Sequence, residues 1–114
     1  MSDLTTFYRS TEPWIAEAAY PEYGHPVNDR ALLERLSPLR QVDTLTAPLL
    51  VVHGAHDTNV PASESEQIVD ALRRAGREVR YLLFADDGHE ILKRENHDAL
   101  AEAMAEWLTE AFEQ

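Results

Sequence analysis

Four consecutive apolar residues, Leu49, Leu50, Val51 and Val52, bounded by Pro48 and Gly54, constrain the fold more than any other stretch. A short, partly β-branched run with no polar residue to turn toward water reads as a strand covered on both faces, and such strands belong to parallel α/β sheets. In those sheets the loops at the carboxyl ends of the strands carry ligands and chemistry. The polar loop His53 to Pro61 therefore stands where a functional loop is expected, with Asp57 inside it.

The sequence around this strand extends the pattern. Before it, residues 1–47 form a segment read as part helical and part irregular. Its aromatics (Phe7, Tyr8, Trp14, Tyr20, Tyr23) are cut into short pieces by Pro13, Pro21, Gly24 and Pro26. Thr11 as cap and Pro13 in the first turn mark a helix to Ala19. Asn28 or Asp29 caps a second, Arg30 to Leu36, which Ser37-Pro38 ends. So many aromatics outside regular structure imply a surface for them to cover. After the strand, Ser63 with Glu66 reads as a capping box opening a helix that carries Ile68, Val69 and Leu72, and Gly76 stops it. Val79 to Phe84 is a second strand, Asp86-Asp87-Gly88-His89 a turn. Glu95 to Phe112 is a long helix placing Leu100, Met104, Trp107, Leu108 and Ala111 inward. Strand, helix, strand, helix makes a right-handed parallel βαβ unit with a closing helix over 48–114.

Two parallel strands are not a self-sufficient sheet, because parallel sheets need neighbours on both sides and cover on both faces. A strand as apolar as Leu49 to His53 should be central, and only one neighbour is encoded. Residues 1–114 thus read as one partial domain, the carboxyl-terminal portion of a larger α/β fold.

Composition narrows the partners. With 21 Asp and Glu against 10 Lys and Arg, the net charge is −11, which argues against a nucleic-acid backbone or an anionic membrane as ligand. There is no cysteine, so neither disulfides nor thiolate metal sites form. The absence of a signal-like N-terminus and of an apolar run of membrane-spanning length makes a cytoplasmic protein the expectation.

Each candidate group admits two readings. Asp57, after a buried strand, suits the acid of a catalytic triad, which must be held rigidly to orient a histidine; it equally suits an Asx-turn, where the carboxylate only accepts backbone N–H groups of its own loop. His89 follows Gly88, which lets the loop turn and lifts the imidazole above the strand ends, the place for a general base; the plain alternative is a surface histidine in an acidic turn. Neighbouring parallel strands lie roughly 5 Å apart, so loops at their matching ends can bring Asp57 and His89 together. His53 and His56 form with Asp57 a possible metal set, although one tight loop rarely closes such a site. His25 and His97 read as surface residues, and Trp14 and Trp107 as core or interface. No Gly-x-Ser-x-Gly elbow is present; Ser63 and Ser65 are explained as helix-start residues. No cofactor-binding motif is present either.

The stretches Pro48-Leu-Leu-Val-Val-His-Gly-Ala-His-Asp57-Thr-Asn-Val-Pro61, Ser63-Glu-Ser-Glu-Gln67, Tyr81-Leu-Leu-Phe-Ala-Asp-Asp-Gly-His89 and Trp107-Leu108 resemble the end of the catalytic domain of the prolyl oligopeptidase family of serine peptidases. The resemblance covers nearly the whole chain and implies an α/β-hydrolase fold. It implies that Asp57 matches the triad acid and His89 the triad base, with the nucleophilic serine upstream on an elbow this sequence does not contain.

Three functions follow as expectations. The first is the carboxyl-terminal part of a serine peptidase, acting on peptides only when another segment or chain supplies the serine, and inactive alone. The second is a non-catalytic interaction module, with strand 49–53 pairing with its counterpart in a homodimer. The third is a metal-assisted hydrolase using His53, His56 and Asp57.

Overall fold

In the computed structural model, which describes residues 1–113, five α-helices, one 3-10 segment and two strands follow one another. Helices α1 (Leu4–Ser10), α2 (Pro13–Tyr23) and α3 (Arg30–Leu36) precede the 3-10 segment Pro38–Thr44. Strand β1 (Leu49–Gly54), helix α4 (Ser63–Arg74), strand β2 (Val79–Phe84) and helix α5 (Arg94–Glu113) complete the order. The strands pair in parallel from Leu49 with Val79 to Gly54 with Phe84, so both end at the same rim. The βαβ unit is as the periodicities foretold, and β2 has the expected bounds.

The N-terminal segment is more helical than its proline content suggests. Asp3 opens α1 by accepting the Thr5 N–H at 2.8 Å. Thr11 ends α1 instead of capping α2, and its hydroxyl donates to the Asn59 carbonyl at 2.7 Å; Glu12 precedes α2, with Pro13 in its first turn. Helix α2 also runs beyond Ala19 to Tyr23, with Pro21 inside it. The expected capping box at Ser63 does not form. Ala62 flanks α4, Ser63 is its first residue, and the first-turn N–H groups of Glu64, Ser65 and Glu66 are taken by the carbonyls of Pro61 and Ala62. Gly76 closes α4 as anticipated. At φ +69° it lets its own N–H reach the Arg73 carbonyl and the Arg77 N–H the Leu72 carbonyl, which satisfies the last turn.

The core is built from α1, which packs on α3, and from α4, which packs on the 3-10 segment and both strands. Leu33 and Leu72 are fully buried, with Val69 and Phe7 nearly so; each such side chain contributes about 1.5–3 kcal/mol. Two polar groups knit this core. Ser37, also fully buried, donates to the Leu33 carbonyl at 2.7 Å and accepts the Leu4 N–H at 2.9 Å. Glu64 takes four donors, the N–H groups of Ser2 and Asp3, the Thr6 hydroxyl and the Gln67 amide, and so fastens the start of the chain to α4.

Expectations about burial fail at β1 and Trp14 and in part at α5. The apolar run Leu49–Val52 is only half-buried, because β1 has one strand neighbour and its other edge carries none among the described residues. Helix α5 buries no residue, and Met104 and Leu108 of its expected inward stripe are nearly half exposed. Leu100, Ala103, Trp107 and Ala111 are its half-buried apolar residues, and an exposed ion pair flanks them. Arg80 pairs with Glu110 at 2.8 Å and lies 5.3 Å from the Trp107 ring centre. Trp14, two-thirds exposed, is no core residue.

Candidate active site

Backbone bonds across the strand ends build the site. The Ala55 N–H donates to the Phe84 carbonyl and the His56 N–H to the Asp87 carbonyl, at 2.8 and 2.9 Å, so the loop after β1 is stitched to the loop after β2. Gly54 permits this crossing. A Cβ there would sit 2.1 Å from the Gly88 carbonyl oxygen and 2.7 Å from that of Asp87, both backbone atoms that cannot swing aside. Gly54→Ala is expected to destabilise the protein by about 2–3 kcal/mol and to part the two loops. A urea melt, with loss of the amide cross-peaks linking Ala55 to Phe84, measures both effects.

The crossing brings Asp57 and His89 into contact. Oδ1 of Asp57 accepts the backbone N–H groups of Asn59 and Val60, each at 2.9 Å. His89 Nδ1 lies 3.1 Å from Oδ1 and 3.0 Å from Oδ2 of the same carboxylate. The Asx-turn and the histidine contact, set out above as alternatives, therefore coexist. Burial alone would raise the Asp57 carboxyl pKa, but the N–H groups of Val60 and Asn59 and the His89 ring outweigh it, and the group is held below the usual carboxylate range. An ionised carboxylate only accepts, so His89 carries its proton on Nδ1 and leaves the Nε2 lone pair open. Asp57 is almost wholly enclosed at its side chain, whereas His89 is half exposed. The imidazole faces a hollow of about 280 Å³ lined by Val52, His53, Asp57, Val60 and Ile91. A second of about 250 Å³ lies between the same loops and Ile15, Ala19 and Tyr23 of α2.

The loop bearing His89 is anchored by its two acids. Asp87, buried, accepts the N–H of Leu92 and the Asn96 amide, while Asp86 meets Lys93 at 2.6 Å and Asn96 at 2.9 Å. Their bonds to Lys93 and Asn96 keep both carboxyls below their ordinary pKa. Sequence reasoning saw these acids only as turn residues; the Lys93 and Asn96 that follow at the start of α5 were the available signal. His56 is exposed, as is His97. Among the described residues no three of His, Cys, Asp and Glu gather as a metal cluster, so the set His53, His56, Asp57 is not assembled. His53 has other partners: Nδ1 lies 2.6 Å from the Ser65 hydroxyl and Nε2 2.8 Å from the Val60 carbonyl.

Solved structures share this arrangement of elements. The chain superposes on the Pyrococcus horikoshii acylaminoacyl peptidase with a TM-score of 0.70 and 26% identity, over 78% of this chain and 14% of that one. It superposes on a puromycin-hydrolyzing peptidase of Mycobacterium tuberculosis with a TM-score of 0.65 and 32% identity, over 80% and 14%. The fold is thus part of an α/β-hydrolase peptidase.

The model of the prolyl oligopeptidase family matches residues 1–114, and the chain belongs to that family, to the carboxyl-terminal part of its catalytic domain. Among curated relatives, the dipeptidyl aminopeptidase BIII of Pseudoxanthomonas mexicana is 36% identical over 86% of this chain and 15% of its own length. The acylamino-acid-releasing enzyme 2 of Oryza sativa is 42% identical over 53% of this chain and 8% of its own. The chain spans about one seventh of the length of the first of these. No described helix is long and apolar enough to cross a membrane.

Proposed function

We propose that this chain supplies the acid and the base of a serine peptidase triad, to a nucleophile that lies outside its sequence, and that it is inactive alone. The observation that carries the reading is the bond from His89 Nδ1 to Asp57 at 3.0 Å, made between the carboxyl ends of neighbouring parallel strands. In the complete site, the serine hydroxyl gives its proton to His89 Nε2 as its oxygen attacks the substrate carbonyl. His89 then returns that proton to the leaving amine, while Asp57 fixes the ring and stabilises its charged form. Peptides are the substrate class, following the peptidase names of the relatives, and the cytoplasm is the compartment.

Ser65 does not replace the missing serine. The N–H groups of its helix turn are already occupied by carbonyls, so they offer no donors to a tetrahedral oxyanion. The isolated chain is therefore expected to turn over chromogenic peptide and ester substrates at the background rate and to resist fluorophosphonate labelling. Turnover that disappears in Asp57→Asn or His89→Ala would contradict this.

A second reading, an interaction module pairing through strand 49–53, is favoured by the open edge of β1 and by exposed Met104 and Leu108. Light scattering decides it: a dimer at micromolar concentration supports it, a stable monomer does not.

A further inference from the structure

His53 is a second imidazole close to the acid. It is the penultimate residue of β1, is about nine-tenths buried, and bridges two elements. The Val60 carbonyl can only accept, so in the neutral ring Nε2 carries the proton and donates to it at 2.8 Å; Nδ1 then accepts the Ser65 hydroxyl at 2.6 Å. Nε2 also lies 3.3 Å from Asp57 Oδ2. Val60 is thus held at both ends, its carbonyl by His53 and its N–H by Asp57 Oδ1. That residue is the fourth of the turn, Asp57 to Val60, defining where the carboxylate points, and Oδ2, the oxygen nearest His89, has His53 as its other close nitrogen.

Resting on the reading of Asp57 and His89 given above, we infer that His53 is a positioning residue for the acid: anchored to α4 by Ser65, it fixes Val60 and with it the plane of the Asp57 carboxylate. Without it, Val60 loses its carbonyl partner, the turn loosens, and Oδ2 is free to rotate away from His89. The tautomer of His89 reports that rotation, because the ring keeps its proton on Nδ1 only while a carboxylate faces that nitrogen.

The test uses the chain itself, with long-range proton–nitrogen NMR of the imidazoles in alkaline buffer. Wild-type His89 is expected in the Nδ1–H form and His53 in the Nε2–H form. His53→Phe, which keeps ring volume and removes both nitrogens, is expected to move His89 several-fold toward Nε2–H. Ser65→Ala should do so more weakly while releasing the tautomer preference of His53. His89 unchanged in a folded His53→Phe protein overturns the inference. Should that variant not fold, Ser65→Ala decides: both rings unchanged overturns it. Wild-type His89 found mainly as Nε2–H would instead overturn the acid–base pairing beneath it.

Discussion

Asp57→Asn, placed in a polypeptide that carries the serine as well as this segment, is expected to lower kcat by about 10⁴-fold with little change in KM. The reason lies in how the side chain is held. The N–H groups of Asn59 and Val60 both donate to Oδ1, so an asparagine keeps its oxygen there and turns its NH2 toward His89. Two donors cannot share a hydrogen bond, and His89 must accept at Nδ1 and carry its proton on Nε2. The base then presents a proton to the serine where it should present a lone pair. His89→Ala removes the base outright and should cost at least as much. Steady-state kinetics on both variants, with unchanged thermal melting, is the measurement; a loss below about tenfold would remove Asp57 and His89 from the triad.

Glu64→Ala is expected to destabilise the protein by about 3–5 kcal/mol, a large share of the stability of so short a chain. Glu64 is 1% exposed, and its carboxyl receives Ser2 N–H at 3.2 Å, Asp3 N–H at 3.1 Å, the Thr6 hydroxyl at 2.5 Å and the Gln67 amide at 2.9 Å. Gln67 can fall back on the hydroxyls of Ser2 and Thr6, which it already reaches. The two backbone N–H groups have no such alternative and would be left buried without acceptors. Glu64→Gln keeps one oxygen for them and turns its amide toward Thr6, so it should cost only about 1–2 kcal/mol. Urea denaturation separates the two variants; equal midpoints would mean that the N-terminal segment is not held through this carboxyl.

The parts of the fold readable in sequence are those with a local signature. Leu49 to Val52, the apolar stripe of α4 and the glycine at 76 carry their periodicity and punctuation on the surface of the sequence, and the βαβ unit follows from them. The two loops bearing Asp57 and His89 were identified by their place after strands and by family resemblance, not by any property of either residue alone. What escaped is long-range. Glu64 and Ser2 are 62 positions apart, Ser37 and Leu4 33 apart, and no spacing rule joins them. Thr11 had the composition of a helix cap, but its hydroxyl is drawn to Asn59, and Ser63 lost its capping role because carbonyls of Pro61 and Ala62 reached the same donors first. The apolar stripe of α5 was read correctly at Leu100, Trp107 and Ala111, which are half-buried, and wrongly at Met104 and Leu108, which are exposed, since periodicity gives the face of a helix and not how fully it is covered.

The seam joining the two functional loops is made of peptide groups: Ala55 to Phe84, His56 to Asp87. Side chains at those positions add nothing to it, apart from the anchoring carboxylate of Asp87. The side chains of Ala55 and His56 can therefore vary over evolutionary time while the hydrogen bonds of the seam stay in place. A side chain acquired at position 54 would part the two strand ends and change the relative pose of acid and imidazole.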